Sequence, residues 1–247
     1  MIRCHMVRGA FALALTVCMG HAGAQPGRGV SRPALDAHAS GILLNASGDV
    51  LTARHAVANC DALFVVKDAR VVPVHIKAAS ITQDLAVLAT PIKPYLSATF
   101  PSDAALAARS QPVFADGYNA LRRMPDRASV VFNAITAPAT GELSLLSPAQ
   151  PGASGSAVLG AGGLLLGMVT ERVAVDGTSS GTVPLSRAGS TRSNTVAGRV
   201  KAVATADITA FLRAHDIAYT QSDAPQLGSL QAQAPRAATL SVGVICG

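Results

Sequence analysis

"ASGILLNASGDVLTARHAVANCDALFVVKDARVVPVHIKA", residues 39–78, decides the fold. It holds the short apolar runs SGILLN, DVLTA, ALFVV and RVVPVHIKA, parted by Asn, Gly and Asp. Runs of about four to eight residues between such turn signals are the pattern of an all-β sandwich or barrel. The pattern continues in LAVLAT (85–90), QPVFADGY (111–118), ASVVFNAI (128–135), SAVLG (156–160) and LLLGMVTERV (164–173). No long amphipathic helices alternate with these runs, which argues against a parallel α/β sheet. The Pro-rich stretch 90–104 reads as a connector between two β halves. One helix is expected at TADITAFLRAHD (205–216), with Thr205 or Asp207 as N-cap and Ile208, Phe211, Leu212 and Ile217 as its apolar stripe. The Gln/Ala/Pro-rich tail 221–247 ends in the strand-like TLSVGVIC.

Composition agrees with this. Apolar residues make up 49% of the chain and charged ones 14%, so a sizeable core is feasible. Tryptophan is absent, and Val, Leu, Ile and Ala must fill that core, which suits β-branched strands. The net charge of +6 comes without any Lys/Arg run interleaved with aromatics, so nucleic-acid binding is not expected.

The first residues are read as a leader. Arg3 and Arg8 precede the apolar AFALALTVCMG (10–20), which is too short to span a bilayer, and AGA (22–24) offers a cleavage site before Gln25. The mature protein is therefore expected to be periplasmic or secreted, with no stable membrane insertion. Cleavage removes Cys4 and Cys18 with two arginines and no acids, leaving a charge of +4. Cys60 and Cys246 remain. In an exported protein they are candidates for one disulfide, the alternative being two inert thiols.

The candidate chemistry centres on "PGASGSAVLG" (151–160), where Ser154 lies between Gly152 and Gly155. Acyl transfer needs a hydroxyl, a base to take its proton, an acid to orient the base, and N–H groups aimed at the oxyanion. The window departs from the G-x-S-x-G elbow of α/β-hydrolases, since its fifth residue is Ser156. Among the histidines, His5 and His21 leave with the leader and His38 precedes the first strand. His75 lies within a strand and His215 on the terminal helix. His55 remains, in a turn directly after VLTA. Asp84 opens an apolar strand and suits the orienting acid, whereas Asp61 and Asp68 read as solvated loop acids.

His55, Asp84 and Ser154 follow the His…Asp…Ser order of chymotrypsin-like enzymes. With that order, residues 39–78 resemble the first barrel of HtrA/Deg-type trypsin-like peptidases, which carry a Thr-x-x-His-Val-Val turn. DLAVL (84–88) is similar to that family's Asp-(Ile/Leu)-Ala segment, and QPGASGSAVLGAGGLLLGMVT (150–170) resembles its Asn-Pro-Gly-Asn-Ser-Gly-Gly block. The resemblance runs in one frame across about 40–172. It implies an all-β fold of two packed six-stranded antiparallel β-barrels with a C-terminal helix. The barrels would span about 36–100 and 105–204, within a peptidase domain 25–220 that follows the leader 1–24.

The resemblance further implies His55 as general base, Asp84 as its orienter, Ser154 as nucleophile, and the Gly152 and Ser154 N–H groups as oxyanion hole. Thr170, Glu171 and Arg172 should line the substrate cleft. The implied activity is that of a serine endopeptidase acting on polypeptides without metal or cofactor. The alternatives are a catalytically silent trypsin-fold module that only holds peptides, and a simple esterase. Ser156 occurs in the glutamyl-endopeptidase branch, but Val169 stands where that branch has a pocket histidine. No acid shortly precedes Ser154, so cleavage is expected after small or apolar residues rather than after Arg or Lys. No PDZ-sized segment follows the catalytic unit within this sequence, so the trimer and cage assembly of full HtrA proteins is not assumed and the oligomeric state stays open.

Overall fold

The structure, a computed structural model, describes residues 36–102, 109–137, 143–173, 182–184, 198–229 and 231–247. The expected leader, with Cys4 and Cys18, lies outside these residues. The first half supplies β1 (Ala39–Leu43), β2 (Asp49–Thr52), β3 (Leu63–Lys67), β4 (Arg70–Pro73), β5 (His75–Ala79) and β6 (Ala86–Ala89). A short β7 (Thr99–Phe100) leads into β8 (Pro112–Ala115), helix α1 (Tyr118–Arg123), β9 (Ala134–Ala137), β10 (Leu143–Ser147) and β11 (Ala157–Leu159). Then come β12 (Leu165–Val173), β13 (Thr182–Pro184), β14 (Gly198–Ala204), α2 (Thr205–Ala214), β15 (Thr220–Gln221), α3 (Gln233–Leu240) and β16 (Ser241–Cys246).

The fold is mostly β with few helices, and the two halves build different sheets. In the second half β11, β8, β9, β10, β14 and β12 pair in sequence, and β11 also pairs with β12. That pairing closes a six-stranded barrel, and closure removes the free sheet edges. Its interior is filled by Val113, Leu145, Val158, Val169 and Val200, all fully buried. The first half is a half-barrel sheet ordered β4-β3-β16-β1-β2-β6-β5. Residues 221–247, set apart in the sequence as a tail, thus complete the N-terminal sheet: β16 lies antiparallel between β1 and β3. TLSVGVIC reads as a strand for the same reason that it fits there. Val242 and Val244 are fully buried, each worth about 1.5–3 kcal/mol on burial.

Helix α2 buries Ile208, Phe211 and Leu212, the stripe expected from its spacing, and Ile217 just beyond it. Its cap differs from expectation. Ala204 is the N-cap residue and offers no side-chain bond, while the Thr205 hydroxyl donates to the Leu165 carbonyl and ties the helix to β12. Helix α3 is held from the other end. Lys67 Nζ donates to the carbonyls of Ala238, Thr239 and Ser241 at 2.8, 3.0 and 2.9 Å, satisfying groups that a helix terminus leaves open. Burial pushes the Lys67 ammonium below its ordinary pKa. Cys60 and Cys246 are joined in a disulfide with a Cα separation of 5.3 Å. None of the described helices is long and apolar enough to cross a membrane.

Candidate active site

Three side chains from separate segments meet where the half-barrel faces the closed barrel. The strand β2 runs through Ala53 into a single 3-10 turn, Arg54–Ala56, which carries His55. Asp84 ends the turn between β5 and β6. There the Ser80 Oγ accepts from the Thr82 and Gln83 N–H groups, and the Ser80 N–H donates to the Leu85 carbonyl. The two turns are joined by Arg54, which donates to the Ser80 carbonyl at 2.6 Å.

Asp84 then holds His55 twice. The His55 N–H donates to one carboxylate oxygen at 2.9 Å and the imidazole Nδ1 meets the other at 2.6 Å. Burial raises the Asp84 pKa, but these two bonds and the imidazole charge outweigh it, and the net value lies below the ordinary one. An ionised Asp84 can only accept, so Nδ1 carries the proton and Nε2 is left as the acceptor. That nitrogen lies 3.1 Å from Ser154 Oγ. Ser154 Oγ is also 2.8 Å from the Thr170 carbonyl. The single hydroxyl proton can go to only one of these acceptors at a time, so its transfer to His55 requires a rotation away from Thr170.

The turn 148–156 between β10 and β11 orients the backbone around Ser154. The Gly152 carbonyl accepts from Ser40 Oγ at 2.7 Å, and the N–H of the same peptide, that of Ala153, donates to Gln150 at 3.1 Å. The Ser154 carbonyl accepts from the Ser40 N–H at 2.8 Å, and the N–H of that peptide, on Gly155, donates to Val169 at 2.8 Å. Both peptides are therefore fixed at both ends. The intervening Ala153 carbonyl is taken by the Ser156 N–H. Among the described residues the Gly152 and Ser154 N–H groups have no acceptor, and two free donors flanking a hydroxyl can receive a developing oxyanion. Gly152 has φ +96° and Gly155 φ +85°, a region that side chains disfavour. At Gly155 a Cβ would also stand 2.0 Å from the Ser40 carbonyl oxygen.

Thr170 lies against Ser154, while Glu171 and Arg172 are half-buried further along β12. Arg172 donates to the Ala149 carbonyl in the turn that leads to Ser154. The other histidines lie elsewhere. His75 is exposed on β5, and His215 closes α2 with Nδ1 on the Phe211 carbonyl. Asp61 and Asp68 are exposed. Among the described residues no three of His, Cys, Asp and Glu gather as a metal site would require.

Sequence reasoning missed two supporting residues. Ser40 is buried and, besides its two bonds to the Ser154 turn, its Oγ accepts from the Tyr118 N–H at 2.9 Å. His38, passed over as a residue ahead of the first strand, places Nε2 at 2.8 Å from the Ala56 carbonyl and accepts from the Cys246 N–H at Nδ1, 3.1 Å. It joins the turn that carries His55 to the disulfide-bonded strand. Neither role has a local signal, because each partner is remote in sequence.

Asp116 adds a pH dependence beside the site. It precedes Gly117, whose missing Cβ would lie 3.0 Å from Ala153 Cα. Burial pushes its carboxyl up to about 6, only partly offset by the Gly117 N–H bond. A raised pKa means that the folded state holds the proton longer, so stability falls as pH rises from about 4 to about 6. The loss amounts to roughly 2–3 kcal/mol. Asp116→Asn keeps the acceptor for Gly117 and should melt several degrees above wild type at pH 8, the gap closing towards pH 4. A gap independent of pH in thermal unfolding would refute the assignment.

The family model for the trypsin-like peptidase domain matches residues 39–168. That span is just over half of the chain, and the protein belongs to this family. The chain is also similar in structure to the HtrA-type protease AlgW with tripeptide (19% identity, TM-score 0.49, covering 72% of this chain and 56% of that one). A serine endoprotease from Yersinia pestis gives 20%, 0.48, 72% and 57%. An inactive form of Rv3671c from Mycobacterium tuberculosis H37Rv gives 14%, 0.45, 72% and 81%. The chain thus spans little more than half the length of the first two. No curated protein matches it.

Proposed function

We propose that this protein is an exported serine endopeptidase that hydrolyses peptide bonds through an acyl-enzyme on Ser154. The observation that carries the reading is the unbroken series Asp84–His55–Ser154, with bonds of 2.6 and 3.1 Å, beside two N–H groups that have no acceptor among the described residues. In the first step His55 Nε2 takes the hydroxyl proton as Ser154 Oγ bonds to the scissile carbonyl carbon. The oxyanion is received by the Gly152 and Ser154 N–H groups. His55 then returns the proton to the leaving amine as the C–N bond breaks. Water, activated by the same imidazole, releases the acyl group and restores the serine. Asp84, kept ionised, holds the imidazole in the required tautomer. Thr170, Glu171 and Arg172 form the wall along which an extended polypeptide would lie.

The test is the intact mass of the mature protein after exposure to a fluorophosphonate. One stoichiometric adduct is expected on wild type, none on Ser154→Ala, and a much slower one on His55→Ala. Folded wild type that takes no label would point instead to a module that only holds peptides.

A further inference from the structure

Strand β12 has two edges, and their occupants can be followed residue by residue. Gly167 and Met168 pair with β11 on one side and β14 on the other. Glu171 and Arg172 keep β14 on its side. The partner of Glu171, Arg172 and Val173 on the opposite side is β13, with Pro184, Val183 and Thr182 respectively. β13 therefore continues the edge that β11 begins. Between the two, Val169 exchanges bonds with Gly155 and Ser156 at 2.8 and 2.9 Å, and the Thr170 carbonyl meets the Ser154 hydroxyl. Along this edge the order is β11, the Ser154 turn, then β13.

The edge immediately past Ser154 is the one on which an extended chain could add as a strand and bring a carbonyl to the hydroxyl, since β14 covers the other. It is already taken. Resting on the peptidase reading of Ser154, we infer that Thr182–Pro184 is an internal occupant of the substrate-docking edge, which an extended polypeptide must displace in order to be cut.

The geometry suits displacement. β13 has three residues, and Pro184 has no N–H to donate, so its ladder is short. A substrate strand with every N–H present makes the fuller set of bonds. Small electrophiles that need no strand pairing would reach Ser154 without moving β13.

Two proline variants test this. Successive N–H groups of a strand point to opposite sides, so one of Thr182 and Val183 donates towards β12 and the other away. One of Thr182→Pro and Val183→Pro should therefore break the pairing. That variant should raise kcat/KM on a quenched-fluorescent peptide library about tenfold, through a lower KM, which corresponds to about 1.4 kcal/mol. Val183→Gly, which weakens the strand but keeps the N–H, should give a smaller rise in the same direction. Fluorophosphonate labelling of Ser154 should stay at the wild-type rate in all three. Normal labelling with unchanged or lowered kcat/KM in every variant would overturn the inference while sparing the peptidase reading. Absence of labelling in wild type would remove both.

Discussion

Asp84→Asn should lower kcat on a peptide substrate by about 10⁴-fold, the scale on which a Ser-His-Asp triad loses activity when its acid becomes an amide. The size follows from the two bonds that Asp84 makes. Its carboxylate accepts from both the His55 N–H and the imidazole Nδ1. An amide can serve one of these as acceptor, but its other end is a donor. To pair with that donor the ring must carry its proton on Nε2, the nitrogen that faces Ser154 at 3.1 Å, and it can then no longer accept the hydroxyl proton. KM should change little, because Asp84 lies behind the imidazole rather than along β12. The measurement is steady-state kinetics beside thermal unfolding. A loss under tenfold in a fully folded variant would mean that His55 does not act as the base. The lowered pKa of Asp84 also sets a sign. Its bonds stabilise the fold above the ordinary carboxylate pKa of about 4, and that contribution fades as pH drops below it.

The second large effect concerns Cys60 and Cys246. Their bridge spans 186 positions, and closing so long a loop lowers the entropy of the unfolded chain by an amount worth about 5 kcal/mol. Cys246 is the last residue of β16, whose neighbours on both sides belong to the first half of the chain. Cys60→Ser with Cys246→Ser is expected to lower the melting temperature by about 10 °C or more. Peptide hydrolysis at low temperature should persist at a reduced rate, because the Cys246 N–H can still reach His38. An unchanged melting temperature would show that β16 is held by its ladder and by Lys67 alone.

How much of this could be read from residue order depends on how far apart the partners lie. His55, Asp84 and Ser154 each stand in a weak local pattern (a histidine just after a strand, a carboxylate opening one, a serine between glycines), and only their joint order and the resemblance to trypsin-like peptidases singled them out. Short strands were legible from apolar runs, and α2 from its stripe. The half-barrel was not, since the placement of Val242 and Val244 between β1 and β3 depends on partners about 200 positions away. Thr205 showed the same limit, for its hydroxyl prefers a carbonyl of β12 to the cap of its own helix. The role of β13 was hidden too. Thr182–Pro184 is a short, unremarked stretch, and only the edge it covers gives it meaning.

The position of β16 bears on how the molecule comes into being. Residues 241–246 must insert between strands made about 200 positions earlier, so the N-terminal sheet has contacts of high sequence separation and cannot complete its core early. Until residues 241–246 have been synthesised, the His38 imidazole also lacks the N–H that anchors it beside the His55 turn. Synthesis from the N-terminus therefore leaves the N-terminal sheet incomplete until residues 241–246 can pair with β1 and β3.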